Sequence, residues 1–316
     1  APGQAAGICR PGQGRPGQEV AGQPINRTDA APPLPMSRKE RLRIPGFEVL
    51  EYLGSGARST IWRLRNTRTG KFCALKRVVR NAGDDDRYFN QAINEFQVAT
   101  NFDHPAIRKY HQIRKVRNLL KLRELHLFME LCPGNSCQND RPTDIKQTIR
   151  IFLAVAEALM HMHARRFVHA DIKPNNIIAA DDGTVKIIDF GQSCPIGTVK
   201  ERIQGTPDFI APEQVYRRPL DGRTDIFNFG AALYWTLTGQ AIPTTLPKKS
   251  AGIQLLDQMH VKPPEELNED VPTPLSRLVM DCIEPKPARR PQSAKDVFVR
   301  LDLIAHTFNR NNHAPE

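Results

Sequence analysis

From Phe47 to about Thr143 the chain reads mainly as short alternating strands, and beyond it helices dominate. A run of strands followed by a run of helices points to an α+β arrangement with two unequal regions. "FEVLEYLGSGARSTIWRLRN" alternates and carries Gly54 and Gly56 at a turn, as a strand, a loop and a second strand would. "GKFCALKRVV" predicts a third strand and "LRELHLFMELC" another. Between them, Phe89, Ile93, Phe96 and Ala99 recur at helical spacing. In the second region "DIKQTIRIFLAVAEALMHMHARR" predicts a long amphipathic helix, and "TVKIIDFG" a short strand ending at Asp189. "TDIFNFGAALYWTLTG" is apolar enough to predict a buried helix. A cleft between two such regions is a natural ligand site.

Residues 1–44 are rich in Gly, Pro, Gln and Ala and contain the repeat "RPGQGRPGQ". They hold too little apolar material for a core and are expected to be a disordered tail. The chain lacks an apolar run long enough to span a membrane, and its N-terminus lacks a signal-peptide core. It does not begin with Met, so a longer, even anchored, parent protein is compatible with it. Six scattered cysteines include no Cys-x-x-Cys pair, and Cys132 and Cys137 have no matching second pair for zinc. Reduced thiols and a cytoplasmic setting follow.

The net charge of +11 suits nucleic acid, an anionic membrane or a phosphate-bearing ligand. Part of the excess lies in the tail. Another part lies in "IRKYHQIRKVRNLLKLR", Ile107 to Arg123, which contains no acid. The preferred reading is a solvated basic hairpin on two adjacent strands, with a docking surface as the alternative.

"FVHADIKPNNII", Phe167 to Ile178, sets Asp171, Lys173 and Asn176 among apolar residues. Each has a plain explanation by itself: a turn former, a surface charge, a cap. Together with Asp189 they match the needs of phosphoryl transfer. Asn176 and Asp189 offer oxygen ligands to Mg²⁺, Asp171 can accept the proton of an attacking hydroxyl, and Lys173 can neutralise the transferred group. "LGSGARST" alone is a weak phosphate signal, although Gly54 and Gly56 would let backbone N–H groups approach phosphate oxygens. Lys76 in "CALK" could pair with phosphate, and Glu95 could hold that amine.

In this order and spacing the sequence resembles the eukaryotic-type (Hanks-type) Ser/Thr protein kinases, with a softer likeness to their bacterial members. The matching residues are Gly54-Ser55-Gly56, Lys76, Glu95, "HADIKPNN", "DFG" at Asp189 to Gly191, "APE" at Ala211 to Glu213, Asp225 and Arg290. The resemblance implies an α+β, bilobal protein-kinase fold. Its small lobe would be an antiparallel sheet with one regulatory helix over residues 45–131. Its larger, mainly helical lobe would cover 132–307, with a short tail at 308–316.

The resemblance also implies ATP and Mg²⁺, with Mn²⁺ as an alternative. Lys76 would contact the α- and β-phosphates and pair with Glu95. Asp171 would be the base, Lys173 would meet the γ-phosphate, and Asn176 and Asp189 would bind metal. Leu53, Gly54, Ser55, Gly56, Ile61, Ala74, Met129, Glu130, Cys132 and Ile178 would enclose the nucleotide. Met129 would be the gatekeeper, and the backbone of Glu130 and Cys132 would read adenine. Glu213 and Arg290 would form a buried ion pair. The implied partners are proteins with Ser/Thr acceptors, not nucleic acid, and Ile107 to Arg123 is a candidate docking site.

Several departures stand out. Ser59 replaces the third glycine of the loop, and Ala99 replaces a larger apolar residue that Tyr110 could compensate. Ala170 replaces the arginine that many relatives carry before the base. Without that cation the usual need for a phosphate on the segment Gly191 to Thr206 is absent, so activity is expected without it. Its hydroxyls are Ser193, Thr198 and Thr206. Lys200 or Arg202 binding phospho-Thr198 is the alternative. Asn175 and Ser136 are neutral where arginine-directed kinases carry acids, so no strong preference for basic peptides is expected. A pseudokinase would lack one of Lys76, Asp171 and Asp189, and a small-molecule phosphotransferase would lack the "GTP…APE" platform; all are present.

Overall fold

The computed structural model describes residues 42–56, 58–80, 86–243 and 261–311. The chain divides into two units, Ala1–Leu42 and Arg43–Glu316. All but the last residue of the first unit lies outside the described residues. The expected disorder of the tail and Cys9 therefore fall outside them, as does most of the expected tail at 308–316. Ile44, inside the expected N-terminal tail, is buried and bridges to Phe47.

Five strands form one antiparallel sheet: β1 (Phe47–Gly56), β2 (Ser59–Asn66), β3 (Phe72–Val79), β4 (Tyr110–Asn118) and β5 (Lys121–Met129). Their spatial order is β1-β2-β3-β5-β4. Central position explains why β3 and β5 carry the most apolar faces: Ala74, Leu75, Val78, Leu125 and Leu127 are all buried. Helix α1 (Arg87–Ala99) packs Phe89, Ala92, Val98 and Ala99 into the core. The expectation of strands enclosing one helix is met.

The larger region contains α2 (Ile145–Ala164), α3 (Pro212–Val215), α4 (Gly222–Thr238), α5 (Thr273–Cys282) and α6 (Ala294–Asn311). The short strands β6 (Asn135–Ser136), β7 (Phe167–Val168), β8 (Ile177–Ala179), β9 (Val185–Ile187) and β10 (Cys194–Pro195) also belong to it. Helix α2 starts where Asp144 accepts the N–H groups of Lys146 and Gln147 at 3.2 and 3.0 Å. Helix α4 is buried along nearly its whole length, as its composition predicts. It begins at the Asp221 cap and ends at Gly239 with φ 72°. Gly230 permits close approach of α4 to α5, since a Cβ there would lie 2.5 Å from Cys282 Cβ.

The basic stretch forms the β4–β5 hairpin, but it is not solvated throughout. Ile107, Arg108 and Tyr110, at its base, are buried. The charge pattern concealed this because the same run continues onto exposed strand.

Candidate active site

The loop after β7 is fixed from both sides. Asp225 on α4 accepts the backbone N–H groups of His169 and Ala170 at 2.9 and 2.7 Å. The amide of Gln214 donates to the Ala170 carbonyl at 2.8 Å. Ala170 itself has φ 60° and sits in an apolar cluster with Val168, Cys194 and Leu220. The next residue, Asp171, is thereby aimed at the cleft.

Three groups converge on the Asp171 carboxylate. Lys173 Nζ lies 2.8 Å from Oδ2, Thr206 Oγ1 3.1 Å from Oδ1, and Asn176 Nδ2 3.2 Å from Oδ2. Lys173 Nζ is also 2.6 Å from Thr206 Oγ1. Thus a hydroxyl thirty-five positions downstream closes a triangle with the carboxylate and amine. Asn176 donates through Nδ2 to the Asp171 carbonyl as well, leaving its Oδ1 as an acceptor.

Lys76, on β3, meets Glu95 Oε2 at 2.6 Å and Asp189 Oδ1 at 3.5 Å. Burial disfavours the ammonium, but Asp189 and Glu95 outweigh it and hold the amine above its ordinary range. Lys76 in turn keeps Asp189 below the usual carboxylate range, whereas burial pushes Glu95 up. The hydroxyl of Tyr110 donates to Glu95 Oε1. Its ring stands edge-on to Phe190 at 6.1 Å, and His169 lies 5.2 Å from Phe190 on another side. Tyr110 is thus buried and not in solvent. Gly191 allows α1 to approach this segment: a Cβ there would sit 2.7 Å from Gln91 Nε2.

A cavity of about 140 Å³ is lined by Gly56, Ser59, Lys76, Glu95 and Asp189, among others. Leu53, Gly54, Ser55 and Gly56 form the end of β1, and Ile61 and Ala74 lie on β2 and β3. Gly54 has φ 155° and no neighbour within 4 Å of a built Cβ, so its need for glycine is conformational. A Cβ on Gly56 would meet Ser59 Oγ at 3.0 Å. Met129 ends β5, with Glu130 and Cys132 following it, and Ile178 lies on β8. The Glu130 N–H donates to the Lys109 carbonyl at 2.8 Å, which leaves its own carbonyl as its backbone contribution to a ligand.

Some residues here escaped the sequence reading. Lys186 on β9 is buried and ion-pairs with Glu130 at 2.7 Å, tying the segment after β5 to the larger lobe. Arg108 is buried with its Nε 3.1 Å from Cys132 Sγ and Nη1 3.7 Å from Met129 Sδ. Gln214 is 3 % exposed. Only the apolar neighbours Ile107 and Tyr110 hinted at Arg108, and strand alternation gave no sign for Lys186.

The sequence matches the protein kinase domain over residues 47–300. The chain belongs to the protein kinase family. One relative described as "Probable serine/threonine-protein kinase", from Clostridium acetobutylicum, is 26% identical over 83% of this chain and 40% of its own length. An Aurora kinase of Candida glabrata is 28% identical over 76% of this chain and 67% of its own. The serine/threonine-protein kinase PknB of Mycobacterium leprae is 25% identical over 85% of this chain and 44% of its own. The kinase domain thus spans less than half of both bacterial relatives.

In this kinase domain the late landmarks also meet. Arg290 binds Glu213 with two hydrogen bonds of 2.8 and 3.0 Å, and both residues are buried. Thr224 Oγ1 adds a third to the same carboxylate at 2.9 Å. A fully bonded, bidentate pair of this kind fixes α3 and its preceding segment against the base of α4.

Proposed function

We propose that this chain transfers the γ-phosphoryl group of ATP to serine or threonine hydroxyls of proteins. The Asp171–Lys173–Thr206 triangle carries this reading. It joins the candidate base to the segment before "APE", where a substrate hydroxyl would be received. The relatives' names support the Ser/Thr class.

In this mechanism Asp171 orients the acceptor hydroxyl and takes its proton as the oxygen bonds to the γ-phosphorus. The bond from phosphorus to the β–γ bridging oxygen breaks, and ADP leaves. Lys173 offsets charge on the transferred group, while Lys76, held by Glu95, orients the remaining phosphates. Ala74, Ile61, Leu53 and Ile178 would enclose adenine beside Met129, with backbone contacts from Glu130 and Cys132. Asn176 Oδ1 and the ionised Asp189 are hard oxygen donors of the kind Mg²⁺ takes, so the residues fit that ion. When bound, Mg²⁺ neutralises developing charge on the phosphates. The five described cysteines are free and buried, which supports a reducing, cytoplasmic setting.

Activity is further proposed not to need a phosphate on the activation segment. The space beside Ala170 is filled by the apolar side chains of Val168, Cys194, Leu220 and Ile196. Lys200, the candidate substitute, lies beside Cys194 and already donates to the Gln192 carbonyl at 2.7 Å. Asn175 and Ser136 supply no charge, so acceptors need no upstream arginine.

The test is transfer from labelled ATP to protein and to small-molecule acceptors, with Asp171→Asn beside wild type. Protein labelling that falls about 10²–10⁴-fold in the variant, with ATP affinity kept, is the expected result. Absence of transfer by wild type supports a pseudokinase, and labelling only of small molecules a different phosphotransferase.

A further inference from the structure

Leu119 and Leu120 form the tip of the β4–β5 hairpin and are 93% and 95% exposed. The next most exposed large apolar residue described, Leu303, is 67% exposed. Neither tip leucine serves the core. Nor does the turn call for leucine, since Leu119 adopts φ 52°, a conformation that Gly, Asn or Asp reaches more easily. Cations flank the pair: Lys115 and Arg117 on one strand, Lys121 and Arg123 on the other. All four are exposed, and none has an ion pair among the described residues. The nearest acid along the strand, Glu124, is held by Arg77 at 2.6 Å and by His126 at 2.8 Å. Positive charge at the tip is therefore not cancelled locally.

We propose that the β4–β5 hairpin tip is a docking element for an anionic lipid surface, with Leu119 and Leu120 entering the headgroup boundary and the four cations resting on the lipid phosphates. Tip geometry favours a lipid surface over a protein. A protein partner would have to supply a pocket for a convex, two-leucine point, whereas a bilayer interface accepts such a point without shape complementarity. Each cation near an anionic leaflet strengthens binding roughly fivefold, and apolar insertion adds to this. The contribution is modest and reversible, suited to recruitment rather than permanent anchorage. It goes beyond the proposed catalysis and does not depend on it.

The experiment is co-sedimentation of the whole chain with two vesicle types, pure phosphatidylcholine and an equal mixture with phosphatidylglycerol, at about 0.1 M salt. Wild type should sediment with the anionic vesicles only. Leu119→Ser/Leu120→Ser should weaken that binding at least about tenfold. Lys115→Gln/Arg117→Gln/Lys121→Gln/Arg123→Gln should do the same, because charge and insertion act together. In Leu120→Trp the added indole emission should shift to the blue and be quenched by brominated lipid. All substitutions are at exposed positions, and unchanged melting curves check their folds. Soluble polyglutamate provides a second arm, in which the leucine variant should bind as wild type does. Failure of wild type to bind anionic vesicles overturns the proposal. So does vesicle binding that survives loss of the leucines, which would make the tip a charge-only site for acidic proteins. Binding unaffected by all hairpin variants would place the lipid contact elsewhere in the chain and likewise overturn it.

Discussion

Tyr110 donates its hydroxyl to Oε1 of Glu95, while Oε2 of the same carboxylate lies 2.6 Å from Lys76. Glu95 is 1% exposed, so both its oxygens depend on protein donors. One comes from β3 and the other from β4, and the helix carrying Glu95 is thereby clamped from two strands.

Tyr110→Phe should remove one clamp while keeping the ring against Phe190. A hydrogen bond to a charged group contributes roughly 1.5–3 kcal/mol. Urea unfolding should register a loss of that size, and turnover should fall less than in Glu95→Gln. A Phe variant as stable as wild type would show that the hydroxyl contributes nothing.

Arg108 is the opposite case. Among the described residues its side chain reaches two sulfurs, Cys132 Sγ and Met129 Sδ, and no carboxylate. Replacing a buried pair member normally strands its partner, but Arg108→Leu leaves no bonded anion unpaired. Its stability should therefore stay within about 1 kcal/mol of wild type or rise. A loss of more than about 3 kcal/mol in denaturant melts would mean that Arg108 neutralises Glu95 at a distance.

His169 links stability to pH. Burial drives its pKa below the ordinary value, despite Asp225 and Asp171. The ring is placed to donate from Nε2 to the Ile188 carbonyl at 3.3 Å and to accept the Asp171 N–H at Nδ1, as a neutral imidazole does. In the unfolded chain it titrates near about 6.5. Above that pH neither state binds the proton. Below it, the unfolded chain takes up a proton that the native state refuses, so stability is lost as pH falls toward the folded value. His169→Phe should flatten this acid-side slope in melts between about pH 7 and pH 5. It should not abolish the slope, because His104, His126 and His161 are lowered too, each mainly by burial. An unchanged slope would remove His169 from the account.

The activation segment offers one accessible hydroxyl for a phosphate switch. Ser193 is 1% exposed and donates to the His169 carbonyl at 3.1 Å, and Thr206 is committed to Lys173 and Asp171. Thr198 remains, donating to the Pro195 carbonyl at 2.7 Å. Thr198→Ala and phosphatase-treated wild type should both keep activity within about tenfold, roughly 1.4 kcal/mol of transition-state stabilisation. A greater fall in both, measured by peptide phosphorylation, would establish a switch that operates despite Ala170.

What the sequence determined by itself is local. Asp171, Lys173 and Asn176 fall within one loop, so their spacing alone announced them, and the apolar composition of α4 announced its burial. Strand and helix order followed from hydrophobic period, which reports the face each element turns to the core. Tertiary structure decided the partnerships between distant segments. Thr206 reaches Asp171, Tyr110 reaches Glu95, and Lys186 reaches Glu130 only because separate elements cross at the cleft. It also divided one basic run in two, burying Arg108 at the base of the hairpin and leaving Leu119 and Leu120 bare at its tip. Period and charge describe a residue and its near neighbours along the chain. Whether a polar side chain is solvated or enclosed depends on which remote segment covers it, and packing alone sets that.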